Sequence, residues 1–217
     1  MPDQLIFDWP SPEGLSAEDF YVSDANRNAV TMMRSPETWP ERKLVLVGPA
    51  GSGKSHLARI FEQEHSAFVT TVGAIPTAYE DETPVVVEDA DTLPPDQNEA
   101  LFHLHNNLRA RDIPLLLTAK TAPSRWPLVL PDLASRMQAT TPVHIKEPDD
   151  ELLAVLLTKL FADRQVMPSP SVIRYLSTRM DRTYSEAKRI VAALDREAMT
   201  QNKPPNTKMA AAILDKP

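Results

Sequence analysis

One short stretch of this sequence has residue types and spacing suited to holding a phosphate. Gly48-Pro49-Ala50-Gly51-Ser52-Gly53-Lys54-Ser55 follows the apolar run Leu44–Val47 and leads into a helical pattern with Leu57, Ile60 and Phe61 on one face. This is the pattern G-x-x-x-x-G-K-[ST] in the strand-loop-helix setting that gives it a mechanism. Its glycines let backbone N–H groups turn inward around a phosphate. Lys54 would neutralise the β/γ oxygens, Ser55 would offer a hydroxyl to Mg²⁺, and the helix N-terminus adds its dipole. Pro49, Ala50 and Ser52 complete the loop, and His56 follows on the helix. Glycine is otherwise scarce: of 5 in the chain, Gly48, Gly51 and Gly53 fall within this loop.

A second candidate lies at Val85-Val86-Val87-Glu88-Asp89-Ala90-Asp91, an apolar run that ends in acids. In P-loop proteins a carboxylate at this strand end holds the hydration shell of Mg²⁺, and the next acid orients water. Glu88 stands where aspartate is usual. Its longer side chain still reaches a metal-bound water, but its placement is looser, so weak or no intrinsic turnover is expected. A solvated strand terminus would read the same way.

These residues need elements to position them. Short continuous apolar runs separated by helical stretches indicate buried parallel strands, and they occur at Leu44–Val47, Phe68–Val72, Val85–Val87 and Leu115–Leu117, with a weaker one around Val143–Ile145. Between two of them, Asp96 to Arg111 predicts a helix, opened by a capping box of Asp96 and Glu99, with Leu101, Leu104 and Leu108 on one face. After Glu147-Pro148 no strand is evident. Asp149, Asp150 and Glu151 suit a helix N-terminus, Leu152, Leu153, Leu156, Leu157 and Leu160 continue it, and further helices are read at 171–180, 185–199 and about 207–215. The expectation is an arm at 1–19, an α/β domain at 20–147 built on a three-layer parallel sheet, and a small all-helical domain at 148–217.

Composition bounds the function. The 217 residues carry 23 basic and 30 acidic side chains, net −7, with no basic block. That argues against a stand-alone nucleic-acid binder, because phosphate backbones are gripped by Lys and Arg. With 0 Cys, disulfides, thiolate catalysis and Cys-ligated zinc are excluded. No apolar run has membrane length and no secretory leader is visible, so a cytoplasmic protein is expected. His103 and His105, two apart on a helix, do not face one another, so a shared metal is not expected there.

With these motifs placed, nearly the whole chain resembles the AAA+ module of the bacterial replication initiator DnaA, and more closely the short regulators of the Hda type. Phe20-Tyr21-Val22-Ser23-Asp24-Ala25-Asn26-Arg27-Asn28-Ala29 is similar to the family's segment beside the adenine, matching at Phe20, Val22, Asn26 and Ala29, with Ser23 in place of glycine. Leu116-Leu117-Thr118-Ala119-Lys120 resembles the sensor 1 strand end. Thr118 fits its polar position, and Lys120 stands where the initiator has an acid. Leu133-Ala134-Ser135-Arg136 matches the L-x-S-R element, which makes Arg136 an arginine finger acting in trans. In the sensor 2 helix Ser185 aligns with the family's arginine; Lys188, one turn later, either substitutes for it or is a solvated lysine.

The Hda type is favoured by two features. The chain stops at Pro217, where the initiator continues into a helix-turn-helix domain. Gln4-Leu5-Ile6-Phe7-Asp8-Trp9 resembles the clamp-binding peptide of these regulators, with Gln4 at the rim of an apolar pocket and Leu5, Phe7 and Trp9 filling it. An arm folded on its own domain is the alternative. The resemblance implies ADP or ATP with Mg²⁺ as cofactors, the DNA polymerase sliding clamp and DnaA as partners, DNA reached only through the clamp, and a homodimer as one admissible assembly. It implies an activator that makes DnaA hydrolyse its ATP. The other function class is an autonomous AAA+ ATPase, such as a helicase loader or remodelling motor, using Lys54, Glu88 and Asp89 for turnover.

Overall fold

The computed structural model describes residues 20–215. The candidate clamp-binding residues Gln4, Leu5, Phe7 and Trp9 lie outside the described residues. Five strands form one parallel sheet: β1 (Lys43–Val47), β2 (Phe68–Thr71), β3 (Val85–Glu88), β4 (Leu115–Ala119) and β5 (Thr141–His144), ordered β2-β3-β4-β1-β5. β1 lies between β4 and β5 and pairs Leu44 with Leu116 and with Thr141. Its five residues are all buried, which explains why it reads as a continuous apolar run rather than an alternating one.

The two faces of the sheet carry separate cores. Val45, Val47, Val85, Val87, Leu115 and Leu117 pack against Leu101, Leu104 and Leu108 of α3 (Asn98–Ala110) and against Leu133 and Met137 of α4 (Pro131–Ala139). Leu44, Leu46, Val86 and Leu116 pack on the other side against Leu57 and Phe61 of α2 (Lys54–His65) and Ala29 and Met33 of α1 (Arg27–Met33). The period-two alternation of each strand thus feeds both helical layers. α5 (Asp150–Ala162), α6 (Pro170–Ser177), α7 (Tyr184–Gln201) and α8 (Thr207–Leu214) enclose a third core that includes Leu153, Leu157, Phe161, Leu176, Ile190, Leu194 and Ile213. Among the described residues no helix is long and apolar enough to cross a membrane.

One local expectation needs correction, and one helix is not foreseen. The helix expected from Asp96 begins as a 3₁₀ turn, Pro95–Gln97, and α3 proper starts at Asn98 with no side-chain cap from Gln97. Pro94-Pro95 fixes the backbone there, and Pro95 fills the first position of the tighter turn, so Asp96 lies inside the turn rather than ahead of the helix. The capping box is therefore absent. Asn98 does the local work: its amide donates to Pro94 O at 3.1 Å and its Oδ1 accepts from Val129 N at 3.1 Å. The short α1 has no counterpart in the sequence reading, because seven residues burying Ala29 and Met33 give too little periodicity to stand out.

The α3 face of the sheet holds two buried basic groups. Lys43, 2% exposed, donates from Nζ to Ile113 O at 3.2 Å, and burial pulls its ammonium down to about 8. His105, also 2% exposed, sits among the leucines of α3; burial and then the charge of Lys43 push its imidazolium down to about 4. A depressed imidazole costs nothing where both states are neutral, above pH 6.5. As pH falls toward 4 the unfolded chain takes up a proton that the native chain refuses, so stability declines across that window. The expected loss is about 3 kcal/mol at most. Denaturant titrations of wild type and His105→Leu at pH 7 and pH 4.5 check it: the variant should lose less stability on acidification, and parallel losses would show that His105 does not titrate as stated.

Candidate functional site

The phosphate loop runs from the C-terminal end of β1 into the first turn of α2. Gly48 N donates to Ala119 O at 3.1 Å, so the loop leaves the sheet beside the end of β4. Gly51 and Gly53 take φ of +79° and +91°, a region where L side chains are strained. Crowding reinforces this: a Cβ at Gly53 would sit 3.0 Å from the Phe20 ring, and one at Gly51 would sit 3.1 Å from Tyr184 Cβ and 3.9 Å from Lys188 Nζ. Lys54 is 7% exposed and its Nζ donates to Gly48 O at 2.8 Å and Pro49 O at 2.9 Å. Burial lowers its ammonium below the usual lysine range, while Asp89 and then Asp91 oppose that shift. The lysine therefore lies along its own loop, facing the acids at the sheet's edge.

Those acids do different work. Glu88 and Ser55 line one cavity of about 140 Å³, shared with Arg59 and Glu62, and Glu88 Oε1 is buried without a hydrogen-bond partner. An orphaned carboxylate oxygen across a small cavity from the loop hydroxyl fits a hydrated Mg²⁺, a cation that keeps most of its waters and takes few protein ligands. Asp89 adopts a left-handed backbone, φ +56°, uncommon for a residue with a side chain and of the kind found at functional sites. Its N–H donates to Thr118 Oγ1 at 3.1 Å, so Thr118, 1% exposed, ties the end of β4 to the end of β3. Asp91 accepts from Lys120 N at 3.1 Å. Bound there, Mg²⁺ would neutralise phosphate charge and orient the oxygens; Ser55 and Glu88 are the residues that would hold it.

Of the leading segment, Phe20 reaches the loop, packing edge-on against His56 with centroids 5.1 Å apart. Val22 is 38% exposed. Asn26 is buried and fully engaged in shaping this segment, its amide donating to Tyr21 O and its Oδ1 accepting from Ser23 N, both at 2.9 Å. Asp149 caps α5 by accepting from Leu152 N at 2.8 Å. Burial raises its carboxyl, but hydrogen bonds from Leu152, Ser23 and Ala25 outweigh that and hold it below the usual carboxylate range. Tyr21 adds a hydrogen bond to Glu151.

From the helical side, α7 supplies Tyr184 and Lys188, four residues apart and so on one face, both against Gly51. Ser185 points elsewhere, toward Thr183 Oγ1 at 3.2 Å. Tyr184 is missing from the sequence reading, although an aromatic one turn before Lys188 was its signal. Its hydroxyl is buried without a partner, and burial, then Asp149, push it up to about 12. Arg136, on α4, has its guanidinium 5.1 Å above the Phe102 ring of α3. Among the described residues, no group of three or more His, Asp and Glu side chains is arranged to hold a metal.

No protein-family model matches the chain, and no curated protein matches it. Solved structures do. Domain III of the replication initiation protein DnaA from Thermotoga maritima superposes with a TM-score of 0.74 at 18% identity, over 94% of this chain and 98% of that one. DnaA from Aquifex aeolicus bound to AMPPCP gives 0.66 at 17%, over 85% of this chain and 68% of that one. The Thermotoga maritima RuvB branch migration motor gives 0.66 at 17%, over 92% and 71%. This is the P-loop AAA+ fold. In it the loop, the acids of β3, Thr118 and the α7 pair converge at one end of the sheet, while Arg136 occupies the α3–α4 face.

Proposed function

We propose that the chain binds ADP or ATP with Mg²⁺ at Gly48–Ser55, with the base beside Phe20 and Val22, and acts as a regulator of replication initiation. In this reading Gln4, Leu5, Phe7 and Trp9 dock it on the DNA polymerase sliding clamp, and Arg136 is presented to the ATP of DnaA. DnaA then hydrolyses its ATP and loses initiation competence. DNA is met only through the clamp. The nucleotide part is carried by one observation: a complete phosphate loop at the strand-helix junction, faced by Lys188 and Tyr184. The regulatory part is supported by the sequence patterns around Arg136 and Gln4 and by the likeness in fold to DnaA. The looser Glu88 at the metal position, with Ser185 where the family has its sensor 2 arginine, favours an activator over a motor with fast turnover of its own.

The test is ATP hydrolysis by DnaA with and without this protein and DNA-loaded clamp. Stimulation should require all components. Gln4→Ala, or joint replacement of Leu5 and Phe7 by Ala, should weaken clamp binding about 30-fold or more, as expected for anchor residues worth about 2 kcal/mol, with the unfolding midpoint unchanged. Undiminished clamp affinity would remove the arm from the mechanism. Rapid clamp-independent turnover by the protein alone would favour the autonomous ATPase.

A further inference from the structure

Phe102 is the positioning residue for Arg136, we infer, holding its guanidinium edge-free for an anion on another molecule. The inference rests on the reading of Arg136 given above and deepens it.

Arginines in this protein are mostly satisfied or bathed in water. Arg27, Arg42, Arg109, Arg164, Arg182 and Arg189 pair with carboxylates. Arg111 donates to the carbonyls of Tyr79, Glu80 and Asp81. Arg136 differs from both groups. Its Nε is buried and has no acceptor, the one such arginine atom among the described residues. No described carboxylate lies within ion-pair distance. What it has is a ring: Phe102, one helix away, with its centroid 5.1 Å from the guanidinium carbon.

That contact does two things. An aromatic face attracts a cation without consuming any N–H donor, so the guanidinium is fixed while its hydrogen-bonding edge stays unspent. A face also dictates the plane of the group, and planarity is what lets arginine grip two oxygens of a phosphate at once. Phe102 can act as such a platform because it is anchored. It packs on the core of the α3–α4 face, and His103 closes edge-on against its ring at 5.6 Å. Local electrostatics add direction. Lys43, Arg109 and Arg136 all bear on His105 as neighbouring positive charge, a local excess that favours an incoming anion. A cation backed by a ring and without a counter-ion among the described residues is a group held ready for an anion from outside them; with Nε buried, the grip falls to the two Nη groups.

The experiment uses full-length Phe102→Leu and Phe102→Tyr beside Arg136→Ala. Leucine keeps apolar bulk and removes the ring face; tyrosine restores it. Two readouts are taken. The first is the Arg136 Nε–H resonance in the free protein, expected to be displaced by the ring in wild type and Phe102→Tyr and to return to the ordinary arginine position in Phe102→Leu. The second is the rate of ATP hydrolysis by ATP-loaded DnaA with DNA-loaded clamp. Phe102→Leu should lower maximal stimulation about 10-fold at an unchanged half-saturating concentration, and Phe102→Tyr should restore it. If Arg136→Ala abolishes stimulation while Phe102→Leu stimulates at full rate, the positioning role is overturned and the finger stands. If Arg136→Ala stimulates normally, the finger itself falls. A Phe102→Leu defect confined to the half-saturating concentration would overturn positioning in favour of simple docking.

Discussion

Arg136→Ala is expected to return ATP hydrolysis by clamp-associated DnaA to its unstimulated rate, a loss of up to about 10³-fold, the lower end of what an arginine finger supplies in trans. The contribution removed is charge stabilisation as the γ-phosphoryl leaves, which the ground state does not feel. Folding should be unaffected, because the guanidinium makes no ion pair and its described contact is with the face of Phe102. Nucleotide affinity should also be unaffected, since Arg136 lies on the α3–α4 face against Phe102 while the phosphate loop carries Lys54. Arg136→Lys should fail nearly as badly, an ammonium lacking the planar fork. The checks are DnaA turnover, ADP titration calorimetry and a thermal melt on the same preparations. Wild-type stimulation by Arg136→Ala would end the regulatory mechanism and leave nucleotide binding standing.

Lys54→Ala is expected to weaken ADP binding about 100-fold. In the free protein the ammonium spends two donors on Gly48 O and Pro49 O, at 2.8 and 2.9 Å. A phosphate replaces those neutral acceptors with charged ones, and charge-assisted bonds are roughly twice as strong. Taking about 1.5–3 kcal/mol for each such bond and allowing for the carbonyl bonds given up, the net is near the figure stated. Depression of the lysine by burial works against this, and Asp89 and then Asp91 oppose that depression. Calorimetry with ADP decides, and equal affinities for the two proteins would remove the loop from the binding site.

Much of this arrangement is legible in the residues. The five strands emerge where Leu44–Val47, Phe68–Val72, Val85–Val87, Leu115–Leu117 and Val143–Ile145 put them, within one to three residues; β1, β3 and β4 are buried as expected, whereas the edge strands β2 and β5 are largely exposed. The first of the C-terminal helices is signalled by leucine spacing and by Asp149, which does cap α5. What stayed hidden depends on neighbours distant in the chain. The capping box at Asp96 failed because Pro94-Pro95 imposes a different turn. Tyr184 and Phe102 look like ordinary core aromatics until α7 is laid over Gly51 and α4 beside α3. Glu88 and Asp89 read as adjacent acids at one strand end, one for the metal's hydration shell and one for water; in the fold one faces Ser55 across a cavity and the other bends its backbone to reach Thr118.

The carboxylate of Asp149 binds the start of α5 to Ser23 and Ala25, and Lys146 N bonds Ala25 O at 2.9 Å. Together with the Tyr21–Glu151 hydrogen bond, this stitches the leading segment to the helical domain, some 125 residues apart in sequence. Modular exchange runs into that stitch. A chimera that swaps the C-terminal helices for those of a relative, cutting at residue 148, parts the carboxylate from the hydroxyl and amides it was matched to. The heritable unit is discontinuous: the helices travel well only when residues 23–25 travel with them.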